Sequence, residues 1–249
     1  MGQQGPRSEV FTTALVNDAG EVADWPAHVQ RLTDHAKRLR IALPPVPPSL
    51  PKDRGMPWRL ARIACKAGAM KWDVTVRTPA FRDEAVDAIT VPAPRWNERT
   101  NGCKHGDWQP YLDAKEAAEQ AGCDAALLIH DHAIVDGDRA TPLVLDEDGT
   151  VWLAPESDGG VPSVTVSLLE NHLPNAGFPV IRCRLNERTV ARCAELVLVG
   201  TGMGACRVDS LDGEPLGSSR DLSTTCQNLL REHFTDTASW SQPGQERAD

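Results

Sequence analysis

Lys104 stands in the run Asn101-Gly102-Cys103-Lys104-His105, with Trp96 before it and Trp108 after it. Aromatic residues on both sides of a primary amine can wall a cavity, or be ordinary core tryptophans. His28-Val29-Gln30-Arg31-Leu32 brings a planar guanidinium with five donors, suited to an anion or to a helix-surface salt bridge. Asp136 and Asp138 flank Gly137 and read either as turn residues or as working carboxylates. Asp158-Gly159-Gly160-Val161-Pro162-Ser163 leads into a helix. It is either a plain helix start or an anion cradle built from the Val161 N–H and the Ser163 hydroxyl, since Pro162 has no N–H. Gly200-Thr201-Gly202 sets a hydroxyl at a strand end. His130-Asp131-His132 contains metal-ligand types, but on a strand the imidazoles share one face and Asp131 takes the other. No third ligand is evident, so no metal site is expected. There is no Gly-x-Ser-x-Gly elbow and no Gly-x-x-x-x-Gly-Lys-Ser/Thr loop, which leaves serine and nucleotide hydrolases without support.

The elements that must position these residues alternate along the chain. Residues 9–16 read as a strand, and Asn17-Asp18-Ala19-Gly20 as a hairpin turn towards Glu21-Val22. From Pro26 to Leu39 the apolar positions recur at helical spacing behind a first-turn proline. The proline-rich stretch 43–51 is a loop, and a second helix is expected over Trp58–Ala67. Strands follow at Asp73–Arg77 and Ala88–Val91, then the break Pro92-Ala93-Pro94. Beyond Lys104 the pattern predicts a helix at Trp108–Ala121 and strands at Ala125–His130 and Ala133–Val135. A hairpin at Pro142–Leu145 and Thr150–Leu153 follows, then a helix at Val164–Asn171, strands at Val180–Cys183 and Leu196–Thr201, and a last helix at Leu222–His233. The expected division is 1–92, a linker 93–103, a second domain 104–234, and a disordered polar tail 235–249.

A chain of 249 residues with 41% apolar composition can bury a sizeable core, and no apolar run approaches membrane-spanning length. The net charge of −9 argues against a nucleic-acid surface. Seven cysteines without a Cys-x-x-Cys pair fit free thiols, and the start lacks a secretory apolar core, so the expected location is cytoplasmic.

In order, Phe11-Thr12-Thr13, His28-x-x-Arg31-Leu32, Cys103-Lys104-His105, Asp124-Ala125-Ala126-Leu127-Leu128 and the Ala194-Glu195 strand ending in Gly200-Thr201-Gly202 resemble the class IV aminotransferases. The first pair looks especially like the aminodeoxychorismate lyase branch. The resemblance covers roughly residues 9–217 and implies an α+β, two-domain, D-amino acid aminotransferase-like fold. Its N-terminal part would be an α/β sandwich and its C-terminal part a strand-rich pseudobarrel. It also implies pyridoxal 5'-phosphate (PLP) as cofactor, an anionic small-molecule substrate and a homodimer, with neither nucleic acid nor membrane as partner. Carried over by position, Lys104 joins the cofactor aldehyde and then acts as a base. Arg31, the Val161 N–H and Thr201 take the phosphate. Asp136 takes the place of the glutamate that holds the pyridine nitrogen, if the preceding turn is one residue shorter. Thr13 faces the substrate.

Two departures accompany the likeness: Pro162 in the phosphate turn, and a start that lacks the strands the family carries before Phe-Thr-Thr, leaving an edge for a partner or for polar residues. The implied activity is conversion of 4-amino-4-deoxychorismate into 4-aminobenzoate and pyruvate. The alternatives are amino-group transfer between an amino acid and a 2-oxo acid, and a non-catalytic homologue serving as a binding or regulatory protein.

Overall fold

The computed structural model describes residues 5–53 and 55–244. They form two compact units, 5–80 with 97–108 and 232–244, and 81–96 with 109–231. The expected α+β class, with the second block richer in strands, is what the chain adopts.

The first unit holds β1 (Glu9–Asn17), β2 (Val22–Ala23), helix α1 (Trp25–Leu39), β3 (Trp58–Lys66) and β4 (Asp73–Arg77). Helix α1 starts where expected: Asp24 is left-handed at φ 51° and its carbonyl accepts from Ala27 and His28. It ends at Arg40, also left-handed, with the Ile41 N–H returning to the Ala36 carbonyl. This is the paired-bond helix stop. One face buries Leu32, Ala36 and Leu39 against Val10, Ala14 and Val16 of β1. Each buried leucine contributes roughly 1.5–3 kcal/mol.

Residues 58–66 are a strand, not the expected helix. They pair antiparallel with all nine residues of β1, from Glu9 opposite Lys66 to Asn17 opposite Trp58. Leu60, Ala61, Ile63, Ala64 and Cys65 are all buried, so this run carries apolar residues on both faces and its periodicity does not separate the two states.

The second unit holds β5 (Val86–Pro92), α2 (Gln109–Gln120), β6 (Ala125–His130), β7 (Ala133–Gly137), β8 (Thr141–Leu145), β9 (Val151–Leu153) and α3 (Val164–His172). It continues with β10 (Val180–Arg182), β11 (Leu185–Asn186), α4 (Glu187–Ala191), β12 (Glu195–Gly200), β13 (Gly204–Leu211), β14 (Glu214–Pro215) and most of α5 (Asp221–Thr235). Its sheet runs β10-β9-β8-β12-β13-β5-β6-β7-β11, with β14 on β13. Strand β5 was expected in the N-terminal domain. It pairs instead in parallel with β6 and β13, and Val86 and Ala88 join that sheet's core. Buried Glu195 accepts the Leu222 and Ser223 N–H groups and so caps α5.

Residues 235–244 are not a structureless tail. After α5 a short strand, β15 (Trp240–Ser241), pairs with β2, and Trp240 stacks near Trp58 with ring centroids 6.3 Å apart. The edge of this sheet at β2 is thus paired with the chain's own C-terminal strand. Residues 245–249 lie outside the described residues. Among the described residues no helix is long and apolar enough to cross a membrane.

Candidate active site

The lysine segment, expected to open the C-terminal domain, belongs to the first unit. The Lys104 carbonyl accepts from the Phe11 N–H at 3.3 Å, and His105 bridges to Val10, so residues 104 and 105 extend the sheet beside β1. From the other side the Lys104 N–H donates to His35 Nδ1 at 3.2 Å. The side chain then lays its ammonium 4.7 Å from the Trp108 ring centroid and 5.3 Å from that of Phe11. Such cation–π contacts contribute about 0.5–2 kcal/mol and aim the amine. Phe11 and Trp108 meet edge to face at 5.1 Å. Thr13, half-buried and two residues along the same strand face as Phe11, lies opposite Arg62. The Arg62 guanidinium stands 4.2 Å from the Phe11 centroid and pairs with Glu9.

On the opposite face of β1, buried Thr12 meets α1. Arg31 Nη2 donates to Thr12 Oγ1 at 2.6 Å, and Thr12 Oγ1 lies 2.9 Å from His28 Nδ1. A guanidinium only donates, and Arg31 Nη2 also lies 3.4 Å from His28 Nδ1, an arrangement that suits Nδ1 as an acceptor of the Thr12 hydroxyl proton. Burial, then the charges of Arg31 and Lys104, hold His28 well below the ordinary imidazole range. Burial also draws Arg31 down to about 10. A cation so desolvated is stabilised by an incoming anion.

In the second unit Asp136 is not a turn residue but a buried member of β7. Its Oδ1 accepts from the Gly137 N–H at 2.9 Å and its Oδ2 from the Val161 N–H at 2.8 Å. This places two expected site residues, Asp136 and Val161, together. The Val161 N–H is directed at a carboxylate rather than offered to a phosphate. The turn lies this close because residue 160 is glycine; a Cβ there would stand 2.3 Å from the Val135 carbonyl oxygen. Ser163 caps α3, accepting from the Val166 N–H at 3.3 Å. Thr201 follows β12, and its hydroxyl lies 2.9 Å from that of Thr165 in the first turn of α3. A shallow cleft, open to solvent, is lined by Asp136, Val161 and Ser163 together with Thr141, Glu156 and Arg182.

His130-Asp131-His132 makes the β6–β7 turn, with Asp131 and His132 both left-handed and Asp131 paired to Arg184. Among the described residues no group of three His, Cys, Asp or Glu side chains is placed to hold a metal ion.

Residues 9–211 match the family model for amino-transferase class IV. The chain belongs to that family. No curated protein matches the sequence. Among solved structures it is similar to a branched-chain aminotransferase from Thermoproteus uzoniensis, at 15% identity and TM-score 0.80 over 95% of this chain and 90% of that one. The branched-chain amino acid aminotransferase of Escherichia coli is similar at 16% identity and TM-score 0.78, over 96% and 91%. A provisionally named 4-amino-4-deoxychorismate lyase from Legionella pneumophila is similar at 15% identity and TM-score 0.75, over 91% of each chain.

As a class IV aminotransferase family member the chain is a PLP-dependent enzyme. Its residues fit the cofactor's groups. The desolvated Arg31 and the Thr165–Thr201 hydroxyl pair are phosphate ligands by type. Asp136, held through both oxygens by backbone N–H groups, is by type a carboxylate that suits a pyridinium N–H. Lys104 is a backbone-held amine beside two aromatic rings. Reasoning from sequence alone missed Thr12, His35, Arg38 and Thr165. For two of these there was a signal: His28, Arg31, His35 and Arg38 repeat at intervals of three, four and three, which is one stripe of a helix.

Proposed function

We propose that the chain converts 4-amino-4-deoxychorismate into 4-aminobenzoate and pyruvate, with Lys104 as the lysine that carries PLP. The observation that carries this reading is the placement of Lys104, its amine set over Phe11 and Trp108 and its backbone held from both sides. When bound, PLP supplies a pyridine ring that stabilises negative charge at the carbon bearing the substrate amine. The lysine amine removes the proton from the substrate's amine-bearing ring carbon, and the neighbouring ring carbon–oxygen bond breaks with its electron pair leaving on oxygen as the enolate of pyruvate. The proton returns to that enolate's methylene carbon, so no water or oxidant is consumed.

With PLP bound, Arg31 and Thr201 would serve as ligands for its phosphate and Asp136 as the acceptor for its ring N–H. The flat walls of Phe11 and Trp108 suit a cyclic substrate, and Thr13 and Arg62 supply a hydroxyl and a cation to its carboxylates. The same reading carries a cytoplasmic homodimer; sedimentation of the purified enzyme at monomer mass removes the dimer from it.

The test is purified enzyme with PLP and aminodeoxychorismate, scored for 4-aminobenzoate, beside relief of a 4-aminobenzoate auxotroph. Amino-group transfer to 2-oxo acids without either result replaces the lyase by a transaminase. A visible band near about 410–430 nm is expected with PLP and lost in Lys104→Ala. Its persistence in that variant removes Lys104 from the role.

A further inference from the structure

Lys104 is held by backbone contacts that come from two different elements. Strand β1 takes its carbonyl through the Phe11 N–H, and helix α1 takes its N–H through His35 Nδ1. One turn further along the same helix, Arg38 Nε donates to the Arg99 carbonyl at 3.1 Å, and Arg38 Nη2 donates to the carbonyls of Glu98 and Asn101. The loop between them is already folded on itself. Thr100 and Asn101 N–H groups return to the Asn97 carbonyl, Cys103 N–H returns to that of Thr100, and Thr100 and Cys103 are buried. A rigid fork of donors on three carbonyls of one compact loop fixes that loop as a body. His35 then fixes the residue that leaves it.

We infer that His35 and Arg38 are positioning residues for Lys104, so that the α1 stripe which carries Arg31 also sets where the lysine amine stands. Neither residue touches the reacting atoms; each acts through the backbone of 98–104. His35 serves as an acceptor, so its ring carries its proton on Nε2, and it is 2% exposed, leaving no water to replace the bond. The lysine and the arginine thus stand in one frame, and a displacement of about 1 Å in such a frame costs up to about a hundredfold in a well-oriented reaction.

This inference rests on Lys104 as the lysine that takes PLP, and the experiment separates the two. Asparagine can place an acceptor oxygen where His35 has Nδ1, whereas leucine fills the space without one. Hydrogen exchange in the peptide 97–108 of the PLP-free protein, and the PLP dissociation constant from absorption titration, are read for wild type, His35→Asn and His35→Leu. Leucine is expected to speed exchange at the Lys104 N–H and weaken PLP binding by about fivefold to tenfold each, and asparagine to stay within about twofold of wild type. Unchanged exchange in the leucine variant, or equal impairment in both, overturns the positioning role. Arg38→Met, at a half-buried position, is expected to raise exchange across 98–104 by a similar factor, and unchanged exchange there overturns it even where His35→Leu does not fold. If Lys104→Ala keeps the visible band, the lysine reading fails, while the exchange data still decide whether α1 clamps the loop.

Discussion

Acid should loosen the first unit through His35. Arg31, Arg38, Lys104 and His105 face it, and burial first and those charges second hold its imidazole at about 3 instead of 6.5. Unfolded, the ring regains its ordinary affinity. The stabilising difference is therefore complete above about 6.5 and is lost as pH falls towards about 3, because over that range the unfolded chain binds a proton the folded chain refuses. Each pH unit well inside the window costs up to about 1.4 kcal/mol, and the change from pH 8 to pH 5 integrates to about 2 kcal/mol. His35 is 2% exposed, so solvent screening removes little of this. His28 is held low as well and His105 is drawn down to about 4, so the wild-type protein loses stability on acidification through all three rings. His35→Asn keeps an acceptor for the Lys104 N–H and removes only one titration. Urea unfolding of PLP-free protein at equal concentrations, followed by tryptophan fluorescence at pH 8 and pH 5, should show the pH-dependent loss shrinking by about 2 kcal/mol in the variant. Buried Asp138 and Glu195, whose carboxyls are pushed up by burial, act with the opposite sign but cancel in the comparison. Parallel pH dependence of the two proteins, within about 0.5 kcal/mol, would refute a buried neutral His35.

Thr12→Val should release Arg31 and His28 together, costing about 1–3 kcal/mol of stability and weakening PLP binding about tenfold, with Thr12→Ser close to wild type; denaturant midpoints and a PLP titration check both. Gly160→Ala should destabilise by about 1–3 kcal/mol, because its Cβ would meet the Val135 carbonyl oxygen. Gly149→Ala, left-handed but with open space around it, should cost only about 1 kcal/mol on the same assay. Ending the chain at residue 236 removes β15 and the Trp240 ring, and should lower the melting temperature of the first unit by several degrees; an unchanged melt would mean that the strand on β2 contributes nothing.

Helix α1 was legible because its signals are local: a proline in the first turn and apolar residues every third or fourth position. Strands β4 and β6 were legible as short β-branched or apolar runs between breakers, and both appear with the expected bounds. The segment 58–66 was misread because helix and fully buried strand share its pattern, and only pairing with β1, about fifty residues earlier, selects the strand. Strand β13 went unseen between the turn at Gly200–Met203 and the Asp212-Gly213 hairpin, since its place is set by β12 and β5. The short C-terminal strand was hidden for the same reason.

At the site the sequence by itself determined the residue types: a lysine between tryptophans, an arginine on an apolar helix, a carboxylate near a Gly-Gly turn, and a hydroxyl at a strand end. These follow from order along the chain, which also carries the family. Only the tertiary structure decided how they are used. Asp136 takes the Val161 N–H, Thr12 links Arg31 to His28, and His35 and Arg38 grip the Lys104 loop. Each of these bonds joins residues from 16 to 69 positions apart, across a strand, a helix or a turn. Hydrogen bonds form over about 3 Å whatever the separation in sequence, so local pattern names the donors and acceptors and folding alone chooses the pairs.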